Sequence, residues 1–280
     1  MSIAFFLVVL CMLLLFPQQA SGAAAEALRI WSLSVVPSLF PYMVLCRMLA
    51  SRLRERNIPA VPVAALLGLM GGSPSGASVL AAYGSCISKK TLLALCALTG
   101  TISPMFTLGT VLSWTQNLAM CRLLLFCQLL AAFFAGGLVF LVCSDKAPAC
   151  CALQTTTVCS PIVQSIDAIL QVGGCIIFYS VLAGLLQLFP YFSENICAFV
   201  HGLLEVSGGI HALCSASMPD FERTLLISAL CSFSGLSILS QNYAFLSPLG
   251  VRFSQLVAFA LLRAVLSVCF TAVLYARFIV

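Results

Sequence analysis

Two polar runs interrupt an otherwise oily chain, and they hold most of the residues able to do chemistry. Gly71-Gly72-Ser73-Pro74-Ser75-Gly76-Ala77-Ser78 sets hydroxyls beside glycines and a proline. Leu98-Thr99-Gly100-Thr101-Ile102-Ser103-Pro104 does the same a short way downstream. At membrane depth such runs leave backbone N–H and C=O groups without helical partners; hydrocarbon supplies none, so the runs must line a cavity. Their hydroxyls can donate to a solute, and the exposed N–H groups of a half-helix attract anionic groups. Small residues also let membrane helices approach closely without binding anything. Proline beside serine and glycine at both breaks is more than packing requires, so Gly72, Ser73, Ser75, Gly76, Thr99 and Ser103 are read as one side of a solute site.

The other side comes from Ser234-Gly235-Leu236-Ser237-Ile238-Leu239-Ser240-Gln241-Asn242, a polar string inside the apolar stretch 224–247. Gln241 and Asn242 can each donate and accept, as a ring nitrogen or a carboxylate needs. Ser234 and Ser237 join them, with interhelical glue as the alternative role. Arg263 lies within a last span at residues 253–279, where a charge is costly and is a functional candidate by default. A guanidinium matches a carboxylate in bidentate geometry. It therefore either holds an anionic solute, the favoured reading, or pairs internally with Asp167 or Glu205. His201 and His211 lie near segment ends and read as satisfied packing residues.

Other chemistries fit less well. An intramembrane serine protease needs a serine with a histidine or lysine in reach, but Gly72-Ser73-Pro74-Ser75 does not match a G-x-S-G elbow and neither histidine lies in a clear span. An enzyme is not expected. Of the 15 cysteines, Cys11, Cys46, Cys96, Cys127, Cys175, Cys231 and Cys269 fall in apolar runs, where a thiol packs as a small hydrophobe. Cys143, Cys150, Cys151 and Cys159 cluster around one loop without a C-x-x-C pair or a nearby histidine, so neither metal nor cofactor is expected. The net charge of +5 is concentrated only at Arg52-Leu53-Arg54-Glu55-Arg56, which excludes a nucleic-acid footprint.

The elements that must position these residues are membrane helices. Of 280 residues 62% are hydrophobic and 8% charged, and the mean hydropathy is +1.13, the composition of an integral membrane protein. Residues 1–22 hold a first span or a signal sequence; the missing basic start favours an uncleaved span. Residues 28–50 make a second span, with Trp31 and Tyr42 as interface anchors and Pro37 and Pro41 breaking the helical register. Its end at Arg47, Arg52, Arg54 and Arg56 is placed in the cytoplasm. Residues 61–88, broken at Gly72 to Gly76, leave halves too short for a span of about 20 residues and predict a re-entrant hairpin returning to Lys89-Lys90. Residues 91–112 are broken at Thr99 to Pro104, and 119–143 make a clean span.

A linker at 144–160 separates a first repeat, 23–143, from a second, 161–280. Leu66-Leu67 before Gly71-Gly72 answers Leu203-Leu204 before Gly208-Gly209. Leu93-Ala94-Leu95-Cys96-Ala97-Leu98-Thr99-Gly100 answers Ser228-Ala229-Leu230-Cys231-Ser232-Phe233-Ser234-Gly235, and the shared order implies an internal duplication. The first half's hairpin side carries Arg52, Arg54, Arg56, Lys89 and Lys90, whereas the second carries Glu194, Glu205, Asp220, Glu222 and Arg223. That contrast implies repeats of opposite orientation. The expected fold is an all-α integral membrane protein, an inverted-repeat transporter with broken helices and re-entrant hairpins.

Several stretches carry a resemblance. The two breaks, Val172-Gly173-Gly174-Cys175-Ile176-Ile177-Phe178-Tyr179-Ser180-Val181, Leu204-Glu205-Val206-Ser207-Gly208-Gly209-Ile210 and Phe233-Ser234-Gly235-Leu236-Ser237 resemble the sporulation integral membrane proteins of the YlbJ (stage V protein V) type, over nearly the whole chain. The resemblance implies nucleoside-recognition gate domains related to concentrative nucleoside transporters. It also implies export of dipicolinate from the mother cell across the outer forespore membrane. The partners it implies are the lipid bilayer of a bacterial cell and a small planar anion such as dipicolinate, with no nucleic acid. A nucleoside carrier and a non-transporting scaffold of the spore envelope are the alternatives.

Overall fold

The computed structural model describes residues 3–56, 58–83, 87–144, 160–186 and 194–279, and among these every regular element is helical. The loop carrying Cys150, Cys151 and Cys159 lies outside the described residues. The first helix, α1 (Ile3–Leu15), has 13 residues, about 20 Å at the helical rise and short of the length a full crossing needs. The span expected at residues 28–50 starts earlier, at Pro17. Helix α2 (Pro17–Ile30) runs through a π turn (Trp31–Val35) into α3 (Val36–Glu55). Pro37 and Pro41 do not break this helix. The Val36 N–H donates to the Trp31 carbonyl five residues back; this wider turn shifts the hydrogen-bond register just ahead of Pro37, and α3 continues through Pro41.

The expected hairpin is present. Helix α4 (Ala60–Gly71, 12 residues) and α5 (Ser75–Tyr83, 9 residues) span about 18 and 14 Å, against a hydrocarbon core of about 30 Å. After it come α6 (Lys89–Thr99), a non-helical segment over 100–103, a π turn (Phe106–Val111) with the short α7 (Leu112–Thr115), and the long α8 (Leu118–Val142).

The same order of elements returns: long helix α9 (Pro161–Leu186), hairpin α10 (Glu194–Leu204) and α11 (Val206–Ser215), broken pair α12 (Asp220–Phe233) and α13 (Gly235–Leu246), and long helix α14 (Phe253–Ile279). Both hairpins cross through paired glycines. A Cβ on Gly76 would stand 3.0 Å from the Gly68 carbonyl, and one on Gly209 would collide with the backbone of Gly202. Gly209 therefore answers Gly76, not Gly72 as the sequence pairing had it.

The molecule is oily outside and polar within. Leu14, Phe133, Phe134, Leu141, Val142, Val265 and Val273 are exposed, while Ser73, Thr101, Ser103, Gln128, Glu205, Gln241 and Arg263 are buried. Five helical stretches are long and apolar enough to cross a membrane: Pro17–Leu49, Leu118–Val142, Pro161–Leu186, Asp220–Leu249 and Phe253–Phe278. Cys46, Cys96, Cys127 and Cys231 are buried as small hydrophobes. Trp31 is a packing wedge rather than an interface anchor. Its indole Nε1 donates to the Ile169 carbonyl at 3.2 Å, and its ring fills the space a Cβ on Gly173 would need.

Candidate functional site

The site is built where four chain interruptions meet. At the first hairpin tip Gly72 has φ +57, a left-handed conformation that glycine adopts without penalty, and a Cβ there would fall on the Ser103 backbone. The Ser73 N–H donates to the Thr101 carbonyl at 2.7 Å, tying the hairpin tip to the first broken helix. The Ser73 hydroxyl accepts from Asn242 Nδ2 at 3.0 Å, tying it to the second. Ser234, with φ +74, turns the chain between α12 and α13, and its hydroxyl donates to the Gly100 carbonyl at 3.1 Å. The second break thus satisfies part of the first break's backbone.

The second hairpin tip is a single residue, Glu205, 1% exposed. Its carboxylate accepts the Ser207 N–H at 2.9 Å and the Gly208 N–H at 2.6 Å, capping α11 with its own side chain. Among the described residues no lysine or arginine pairs with it.

These pieces enclose a small cavity of about 20 Å³ whose polar wall is Ser73, Ser103, Glu205, Ser207 and Gln241, with Phe106, Val172 and Ile238 among its apolar lining. Both hairpin tips and both broken helices contribute. Its volume is enough for about one water, so in this conformation the site is closed to any organic solute. A second space of about 10 Å³ is bounded by Ser73, Thr99, Gly100, Asn242 and Arg263. Ser73 belongs to both.

Arg263 is 1% exposed and meets neither expected carboxylate. Its guanidinium donates to three carbonyls: Nη1 to Ala97 at 3.0 Å, Nη2 to Gly100 at 2.8 Å and Nε to Ser232 at 3.2 Å. It therefore staples the C-terminal ends of α6 and α12 to α14, supplying donors to carbonyls that a helix end leaves without partners. A guanidinium has five N–H donors, so it retains capacity towards the second space. Asp167 is exposed on α9, near Arg47.

The structure sorts the predicted residues. Ser73, Ser103 and Gln241 line the larger cavity, and Thr99, Asn242 and Arg263 line the smaller. Gly72 and Ser234 shape the breaks, Gly76 serves the hairpin crossing, and Ser75 is buried against Gly71. Ser237 lies behind the wall and accepts from Gln241 Nε2 at 3.4 Å. Several hydroxyls are already engaged locally: Thr99 donates to the Leu95 carbonyl and Ser103 accepts from the Phe106 N–H.

Three contributors were not assigned to the site from sequence. From sequence Glu205 is either a partner of Arg263 or one of the acids of a wet surface. Gln128, buried on α8, donates to the Ile102 carbonyl at 2.7 Å; its signal is a lone amide inside a long apolar run. Ser207 sits beside Glu205. Two buried amide oxygens on these walls lack a protein partner, Gln241 Oε1 on the larger space and Asn242 Oδ1 on the smaller; Gln128 Oε1, Ser232 Oγ and Thr101 Oγ1 are also buried without one. Native interiors leave few such groups, and one of them faces each space. Half-turn rotation of an amide exchanges acceptor for donor.

Fold and site define an integral membrane protein of long helices packed around two helical hairpins and two broken helices, with a small polar centre. The sporulation integral membrane protein YlbJ of Bacillus subtilis (strain 168) is 23% identical over an alignment of 333 residues, covering 97% of this chain and 81% of that protein. The chain is thus similar, end to end, to a member of the family its motifs resemble. No family model and no solved structure matches it.

Proposed function

We propose that the chain is a carrier, not an enzyme, and that it moves a small planar organic anion, dipicolinate, out of the mother cell towards the forespore. The observation behind this reading is the convergence of both hairpin tips and both breaks on one polar cavity, with the unpartnered Gln241 Oε1 on its wall. Broken helices meeting at one place are how carriers expose helix ends and freed carbonyls to a solute. The α5 N-terminus, the Ser73 and Ser103 hydroxyls, the Gln241 and Asn242 amides and the spare donors of Arg263 suit two carboxylates and a ring nitrogen. The repeated element order is what two halves related by inversion would share. Opening the closed cavity requires the hairpin tips to part.

Glu205 favours a second reading. A buried carboxylate repels an anion but accepts hydrogen bonds from the sugar hydroxyls of a nucleoside, so a nucleoside carrier uses that wall better than an anion does unless Glu205 holds a proton.

The test is dipicolinate uptake by proteoliposomes containing Ser73→Ala, Ser103→Ala or Gln241→Leu protein. Each loses a hydrogen bond worth about 1 kcal/mol, and uptake should weaken roughly fivefold. Undiminished uptake in all three assigns these residues to packing.

A further inference from the structure

Beside the central cavity lies a much larger cleft of about 550 Å³ between α2, α9, α10 and α11, with Gln19, Glu26, Ser180, His201 and His211 on its walls. That volume and those polar groups suit water. His201 is largely buried, and its Nε2 has no hydrogen-bond partner. It stands one turn before Glu205, whose N–H donates to the His201 carbonyl at 2.7 Å.

Gly208 lies between them. A Cβ built there would stand 2.6 Å from His201 Nε2 and 3.2 Å from Glu205 Oε2. The two heteroatoms are separated by at most the sum of those distances, a gap that one water bridges. His201 opens on the cleft and Glu205 on the central cavity. Among the described residues Glu205 is the one acid or base lining the central cavity, and His201 is the cleft residue that meets the same Gly208.

The geometry points to a further activity: His201 and Glu205 form a proton path from the lateral cleft to the central site, making proton uptake part of the transport cycle. His201 takes a proton from cleft water to become imidazolium and passes it, directly or through one water, to Glu205 Oε2. Glu205 becomes a neutral acid, and His201 returns to its starting state. The proton leaves when the central cavity opens. Other titratable groups facing the cleft are Glu26 on α2 and His211 on α11. Helix α9 presents Ser180 and Gly184, α12 presents Leu230 to Gly202, and α13 presents Ile238 and Gln241 to the Glu205 side. This inference rests on the carrier reading for its meaning, because a neutral Glu205 removes the repulsion that an anion meets at that wall.

Infrared difference spectroscopy of the purified protein in lipid nanodiscs, stepped across pH, reads the path without any solute. Wild type should show the carbonyl stretch of a protonated carboxylic acid, shifting in heavy water, and Glu205→Gln should lose it. His201→Asn should keep the band but slow its deuterium exchange. Glu205→Asp retains a capping carboxylate and covers the case of a misfolded glutamine variant; it should shift the band and slow exchange, because the shorter acid draws back from His201. A band unchanged in both Glu205 variants, or exchange in His201→Asn as fast as wild type, overturns the path. A proton gradient should accelerate dipicolinate uptake in wild type and not in His201→Asn. A protein that carries no dipicolinate yet gives the infrared result loses its proposed substrate and keeps its proton path.

Discussion

Replacing Arg263 with methionine, similar in length but without donors, tests the staple most sharply. Arg263 serves the carbonyls of Ala97, Gly100 and Ser232. The Gly100 carbonyl keeps the Ser234 hydroxyl as a donor, so the substitution strands two buried carbonyls at the ends of α6 and α12. A stranded buried acceptor costs about 1–3 kcal/mol, giving a loss of roughly 2–6 kcal/mol, part of it recovered because a buried guanidinium is itself costly to desolvate. For a chain of this size that corresponds to a fall in Tm of at least several degrees. The local reporters are already in place: Cys96 on α6 and Cys231 on α12 are buried at 3% and 0% exposure. A thermal melt followed with a thiol-reactive fluorophore should show them reacting at lower temperature in Arg263→Met. Arg263→Lys, with one ammonium for three carbonyls, should fall between. A methionine variant that melts with wild type refutes the staple and returns Arg263 to the solute alone.

Gly72→Ala should abolish dipicolinate uptake while leaving membrane insertion intact, because a Cβ there meets the Ser103 backbone and a positive φ is strained for alanine; uptake at wild-type level removes the hairpin tip from the site. Gly173→Ala should expel the Trp31 ring from its notch on α9, with overpacking costing about 1–3 kcal/mol, read as a lower Tm and altered tryptophan emission. Inverted halves predict that, in a cysteine-depleted background, thiols introduced at Glu222 are labelled from outside intact cells and those at Lys90 are not. Equal labelling of both removes the inversion.

The breaks were legible because proline, glycine and serine are conspicuous in an oily chain, and Gly72, Thr99–Ser103 and Ser234 all mark real interruptions. Helices α8 and α14 were legible as unbroken apolar runs. The second hairpin tip was not, since no proline or glycine marks it: Leu204 and Val206 flank Glu205, and the turn is made by a carboxylate capping its own helix. That hidden turn also displaced the repeat pairing, matching glycines before one tip with glycines after the other. Propensity misled at Pro37, which follows a π turn that shifts the hydrogen-bond register, and at Pro41, which α3 runs through. The charge contrast is weaker than its count. Glu205 is buried, and Asp220 and Glu222 occupy the first turn of α12, where acids are favoured by the helix dipole. Lys89 and Lys90 begin α6 against that preference, so they are the better topological signal.

The central claim is that the closed polar cavity between the two hairpin tips carries a small planar anion. Uptake of radiolabelled dipicolinate by proteoliposomes of the wild-type protein, beside radiolabelled uridine, tests it most directly. The account predicts saturable accumulation of dipicolinate that uridine does not compete away. Uridine uptake without dipicolinate uptake, or no uptake of either above protein-free vesicles, would contradict it.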